Sequence, residues 1–248
     1  MHPSLLHIGF LTIPTYGLLA AIGLMLALVL SLRTAAVVGL SPDRVWNAGL
    51  FTLIAAFVLS RLLLVVQNLH TFLSFPILLL MVPSLTPLGL TLTAVASLAY
   101  LRTRNLEILS ILDAWAPCAT LAWAFLALGH FAEGSDPGLP SNLPWAVALP
   151  SSSLRLHPVA IYVAIIAALL TAVLLVQLPR RQRAGDTAAV ALASSGLVQF
   201  LLSFLREPAY YENALGRMLD PIQWVALGMI VVAVTVWQLP RREIRHAF

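Results

Sequence analysis

The chain predicts an all-α integral membrane protein of seven transmembrane helices, with its N-terminus outside and its C-terminus cytoplasmic. Three observations carry this. Of its 248 residues 60% are hydrophobic and 10% charged, where a soluble domain carries about 25% charged residues. Apolar runs of spanning length recur from end to end, each near the roughly 20 residues that cross a bilayer. The arginines fall unevenly between the connecting segments, and basic residues mark the cytoplasmic side. The sequence pI of about 9.8 is thereby explained by topology, and no nucleic-acid partner is expected.

The first span is expected from about Phe10 to Leu32. It is longer than a signal-peptide core and follows no basic residue, so no cleavable signal peptide is expected. The second runs from about Val45 to Val66 with Arg61 inside it. Pro76, Pro83 and Pro87 interrupt the next apolar stretch, because proline removes a backbone donor and disrupts the preceding turn. That stretch divides into a short interfacial or re-entrant piece near Phe72 to Val82 and a third helix ending near Leu101. The fourth span covers about Leu106 to Gly129 with Asp113 and Pro117 inside, the fifth His157 to Leu178, the sixth Ala188 to Leu205, the seventh Pro221 to Leu239. They form one domain, residues 1–248, with outer loops at about 130–156 and 206–220. There is no internal repeat.

All 14 basic residues are arginine. Arg33, Arg44, Arg102, Arg104, Arg180, Arg181, Arg183, Arg241, Arg242 and Arg245 fall on one side; Arg155, Arg206 and Arg217 fall on the other. The first side is the cytoplasmic one by the positive-inside rule. The one cysteine, Cys118, excludes an intramolecular disulfide. A small-solute transporter is disfavoured: the spans hold few polar residues and no paired broken helices.

Chemistry-bearing residues gather in one polar passage, Leu126 to Tyr162, which holds His130, Glu133, Asp136, Arg155 and His157. His130 and Glu133 stand three apart and share a face if the helix continues past Gly129. A carboxylate-held imidazole suits a general base or proton shuttle; an ordinary solvated loop and a weak metal site are the alternatives. Arg61 lies deep enough in its span to cost a few kcal/mol unless it snorkels, pairs or lines a wet cavity. It either anchors the helix end or clamps a lipid phosphate. Asp113, near the cytoplasmic start of the fourth span, is expected to pair with a nearby arginine or cap that helix. His157 before Pro158 is an acid–base candidate or an interhelical hydrogen-bond partner, with Tyr162 following. Arg206 could hold a phosphate, or Glu207 could neutralise it. Tyr16 is a belt residue or joins Arg61, His130, His157 and Arg206 at one outer-leaflet level, as a phosphate site opening sideways to lipid.

Six segments occur in a familiar order: Ile13-Pro14-Thr15-Tyr16-Gly17, Ser60-Arg61-Leu62, Leu112-Asp113-Ala114-Trp115-Ala116-Pro117, Leu143-Pro144-Trp145-Ala146-Val147, His157-Pro158-Val159-Ala160-Ile161-Tyr162 and Phe204-Leu205-Arg206-Glu207-Pro208. In this order the chain resembles the prolipoprotein diacylglyceryl transferase family over nearly its whole length. The resemblance implies a multi-pass enzyme of the bacterial inner membrane that needs no cofactor. It implies transfer of the diacylglyceryl group of phosphatidylglycerol to the cysteine thiol of a prolipoprotein signal peptide, with glycerol phosphate leaving. By resemblance, Tyr16, Arg61, Tyr162, Arg206 and Glu207 contact substrate, while His130, Glu133 and His157 are the acid–base candidates. The chain departs from the family pattern where Pro87-Leu88-Gly89 replaces His-Gly-Gly. It also has Ala127 for an arginine, His130 and Glu133 for two asparagines, Val163 for a glutamate, and Gln199 and Ser203 for an arginine and a glutamate. A homologue that only binds phospholipid or lipoprotein is the alternative.

Overall fold

The computed structural model describes residues 4–8, 11–74, 87–148, 154–206 and 219–238. An antiparallel hairpin, β1 (Ser4–Ile8) and β2 (Leu11–Pro14), leads into α1 (Thr15–Val37). Then come α2 (Pro42–Gln67), α3 (Leu69–Ser74), α4 (Pro87–Thr103) and α5 (Ile108–Glu133). A two-stranded ribbon follows, β3 (Val147–Ala148) with β4 (Arg155–Leu156). The chain closes with α6 (Val159–Gln177), a 3-10 turn (Leu178–Arg180), α7 (Asp186–Ser203) and α8 (Pro221–Gln238).

Six of these helices are long and apolar enough to cross a membrane, so the protein is a multi-pass integral membrane protein. The third expected span is α4, whose 17 residues rise about 25 Å at 1.5 Å each, short of a hydrocarbon core of roughly 30 Å. The re-entrant piece expected at Phe72 to Val82 begins in α3, and its remainder lies outside the described residues.

The hairpin departs from the all-α expectation, and its cause is local. Proline pushes its predecessor out of the helical region, so helix cannot run through Ile13-Pro14, and α1 starts at Thr15 behind the extended Pro14 (ψ 136°). The helix then passes the expected stop at Leu32 and ends at Val37, before Gly39 at φ +78°.

Helices α1 and α5 form the central pair; α6 packs on α5, α8 on α7, and α4 on α2, which leans on α1. Alanine lines the buried seams, as at Ala27, Ala116, Ala122, Ala167 and Ala191, while Met25, Phe57 and Leu169 are more than 60% exposed. Lipid is as apolar as leucine, so these helices associate through close backbone approach at small residues. Thr120 Oγ1 and Thr171 Oγ1 add a hydrogen bond of 2.9 Å across the α5–α6 seam.

At the arginine-rich end one buried carboxylate ties three segments together. Asp113 is fully buried. Its Oδ2 accepts the Gly185 N–H at 2.6 Å and its Oδ1 the Ala188 N–H at 2.9 Å. Asp113 thus caps α7 from another helix, because the N-cap position itself is Gly185 and offers no side chain. Arg181 Nε stands 3.4 Å from Oδ2, an ion-pair distance without hydrogen-bond alignment. Its Nη2 donates to the Val38 carbonyl at the end of α1 at 3.2 Å. Burial lowers the Arg181 pKa from its ordinary value, and Asp113, Asp186 and Glu107 oppose the shift. The expected arginine neighbour of Asp113 is present, but the helix it caps is α7 and not its own, whose N-cap is Glu107.

Candidate functional site

The site is built at the other end of the bundle, where α5 runs out into the 134–148 loop. Helix α5 continues past Gly129 to Glu133 and stops at Gly134, whose φ of +76° is the left-handed cap that glycine adopts without strain. His130 therefore sits in the last helical turn, and its ring lies 4.8 Å from that of Tyr16 at the start of α1. Gly129 makes this approach possible: a Cβ there would fall 2.8 Å from Tyr16 Cδ2.

His130 is not held by Glu133. Its Nδ1 meets Ser135 Oγ at 2.9 Å. The helix ends at Glu133, the chain turns at Gly134, and Ser135 comes back to the His130 ring. Glu133 is exposed.

Beyond the turn, three strips of backbone are laced together. The Leu139 N–H donates to the Leu205 carbonyl at 2.8 Å, and the His157 N–H to the Leu139 carbonyl at 3.0 Å. The Ser141 N–H donates to the Arg155 carbonyl at 2.8 Å, and Gly138 bridges Arg206. Gly138 lies flat on His157, with a Cβ there falling 2.8 Å from His157 Cβ. This lacing brings Arg206, at the end of α7, to Asp136, with Nη2 3.2 Å from Oδ2. The Arg206 side chain is 15% exposed, and its buried Nε has no hydrogen-bond partner among the described residues. His130, Asp136, Gly138, Leu156 and His157 share a small cavity of about 20 Å³. Behind it, Tyr162 Oη lies 3.5 Å from His157 Nδ1 and accepts the Trp145 indole N–H at 2.8 Å.

Tyr16, His130, His157, Tyr162 and Arg206 thus converge on one end. Arg61 sits in α2, whose main neighbours are α4 and α1, and it is not among the residues lining that cavity. Glu207 lies outside the described residues. Among the described residues no cluster of three or more metal-ligating side chains occurs.

A family profile described as prolipoprotein diacylglyceryl transferase matches residues 3–239. The chain belongs to the prolipoprotein diacylglyceryl transferase family. Its relatives include a phosphatidylglycerol–prolipoprotein diacylglyceryl transferase of Paracidovorax citrulli, 32% identical over 62% of this chain and 60% of that protein. The protein of the same name from Clostridium tetani is 25% identical over 97% of this chain and 98% of its own. That of Bordetella avium is 30% identical over 62% of this chain and 60% of its own.

Within this diacylglyceryl transferase family member, four site residues carry no role from sequence alone. Asp136, Ser135 and Trp145 are brought in by the course of the loop. Gln223 of α8 donates from Nε2 to Ser203 Oγ at 3.0 Å, which ties the end of α7 to the neighbouring helix. An open, almost wholly apolar groove of about 180 Å³ lies between α1, α2 and α5. Two of its polar side chains are already paired, Ser31 to the Leu28 carbonyl and Thr52 to the Ala48 carbonyl and to Ser97 Oγ of α4.

Proposed function

We propose that this protein is an active phosphatidylglycerol–prolipoprotein diacylglyceryl transferase of a bacterial inner membrane. It crosses that membrane seven times, with the N-terminus outside, the C-terminus cytoplasmic and the His130 end in the outer leaflet. The distribution of arginines supports this orientation. The observation that carries the function is Arg206: a largely buried guanidinium with a buried Nε unpartnered among the described residues, one edge on Asp136, which lines a cavity with two histidines. A buried donor without a partner costs about 1–3 kcal/mol, and a phosphoryl oxygen of the lipid head group removes that cost.

The reaction forms a thioether. The signal-peptide cysteine thiol gives its proton to His130, and the thiolate sulfur attacks the glyceryl carbon that carries the phosphate oxygen. The carbon–oxygen bond breaks, and glycerol phosphate departs with the electron pair. His130 serves as base when its Nδ1–H donates to Ser135 Oγ, which leaves the Nε2 lone pair open. Arg206 stabilises the charge that grows on the departing phosphate. Arg61, on α2, attends the lipid from the side, and Glu207 adjoins Arg206 in sequence. The groove between α1, α2 and α5 suits the acyl tails.

The test is transfer itself. Purified protein in phosphatidylglycerol vesicles, given a signal peptide with its cysteine, is expected to release glycerol phosphate in step with peptide thioether. Vesicle lipid that binds without either product would leave only a lipid-binding homologue.

A further inference from the structure

His157, Tyr162 and Trp145 form a chain of hydrogen bonds whose direction can be worked out. An indole N–H only donates, so Trp145 Nε1, 2.8 Å away, uses one lone pair of Tyr162 Oη. The phenol keeps one O–H to give. Among the described residues its one remaining polar neighbour is His157 Nδ1, at 3.5 Å. If Nδ1 carried the proton, two donors would converge on the phenol oxygen and its own O–H would lack an acceptor in a half-buried position. The arrangement that gives the phenol O–H an acceptor has Tyr162 donating to an unprotonated Nδ1, which places the proton of the neutral imidazole on Nε2. The backbone of His157 is held from two sides: its N–H donates to the Leu139 carbonyl, and Gly138 packs against its carbonyl and Cβ.

We infer that Trp145 and Tyr162 hold His157 as its Nε2–H tautomer, so that the ring offers the cavity it lines a neutral hydrogen-bond donor for an anionic oxygen, and not a base. The two histidines of that cavity then differ in kind. His130 faces a serine hydroxyl that can accept, and it is free to take a proton at Nε2; His157 faces a phenol that donates. With Arg206 at the same end, the donor of His157 suits a phosphoryl oxygen. Tyr162 and Trp145 are positioning residues that act through His157. The assignment of the oxygen to a lipid phosphate rests on the proposed transferase function; the tautomer does not.

Two readouts separate these. The first is the ¹⁵N spectrum of histidine-labelled protein in micelles, with the His157 signals identified by their loss in His157→Gln. The expected result is a bare, pyridine-like Nδ1 and a protonated Nε2, with the preference lost in Tyr162→Phe and weakened in Trp145→Phe. A protonated Nδ1 in the unsubstituted protein overturns the inference, and this spectrum needs no variant beyond the one used for assignment. The second is turnover. Glutamine has a donor amide but cannot serve as a base, so His157→Gln is expected to retain activity within about threefold while His157→Ala loses tenfold or more. Equal loss in the two variants overturns the donor role. Failure of all transfer by the unsubstituted protein counts against the transferase function and leaves the spectrum to decide the tautomer.

Discussion

Replacing Asp113 by alanine removes the carboxylate that caps α7 and neighbours Arg181. Two backbone N–H groups, on Gly185 and Ala188, lose acceptors at 2.6 and 2.9 Å in a place that is fully buried. Each buried donor left unsatisfied costs about 1–3 kcal/mol. Arg181, 7% exposed, also loses the opposing charge, and breaking a buried pair by removing one partner costs about 3–5 kcal/mol in all. A loss of about 3–5 kcal/mol is therefore expected for Asp113→Ala, and about half that for Asp113→Asn, which keeps one acceptor. The assay is reversible unfolding in mixed micelles. Arg181→Ala combined with Asp113→Ala should cost less than the two single losses added, because the orphaned charge is then gone. A loss below 1 kcal/mol for Asp113→Ala, or strict additivity with Arg181→Ala, would refute the latch.

At the other end, Gly129→Ala should push Tyr16 off His130, since a Cβ falls 2.8 Å from the Tyr16 ring; about 1–3 kcal/mol of stability and at least tenfold in transfer should go, read by unfolding and turnover. Gly138→Ala should displace His157 and appear as a shifted His157 signal in the ¹⁵N spectrum. Ser203→Ala removes the acceptor for Gln223 and should cost about 1 kcal/mol in micelle unfolding with little change in transfer rate. Arg206→Gln should lower transfer by about 10²–10³-fold, the usual loss for a donor aimed at developing charge, as measured by glycerol phosphate release.

Helix existence was legible because lipid imposes a length and a composition that soluble cores do not. The boundaries were less so. Hydropathy does not register that Ile13-Pro14 cannot be helical, nor that Thr34-Ala35-Ala36-Val37 carries α1 on past Arg33. Asp113 announced itself, since a lone carboxylate near a span end must be satisfied. Its partner was hidden, because Gly185 lies 72 residues away and contributes only a backbone N–H. Tyr16, His130, His157 and Arg206 were legible as a group from their places at helix ends. The helix does continue past Gly129 through His130 and Glu133, but the His130 Nδ1 is taken by Ser135, a residue beyond the helix end that helical spacing does not report. Arg61 was placed on the right helix, but nothing in one sequence says which flank α2 turns toward the site. The Trp145–Tyr162–His157 chain depends on how the loop folds back, which no periodicity reports.

The claim at the centre is that His130, beside Tyr16 and Arg206, draws the proton that starts thioether formation. The direct measurement is the initial rate of thioether formation on a signal-peptide cysteine in phosphatidylglycerol vesicles, for the unsubstituted protein and for His130→Gln. A fall of about 10²–10⁴-fold, the span of general-base effects, with lipid binding retained, is expected. Equal rates for the two proteins would contradict it.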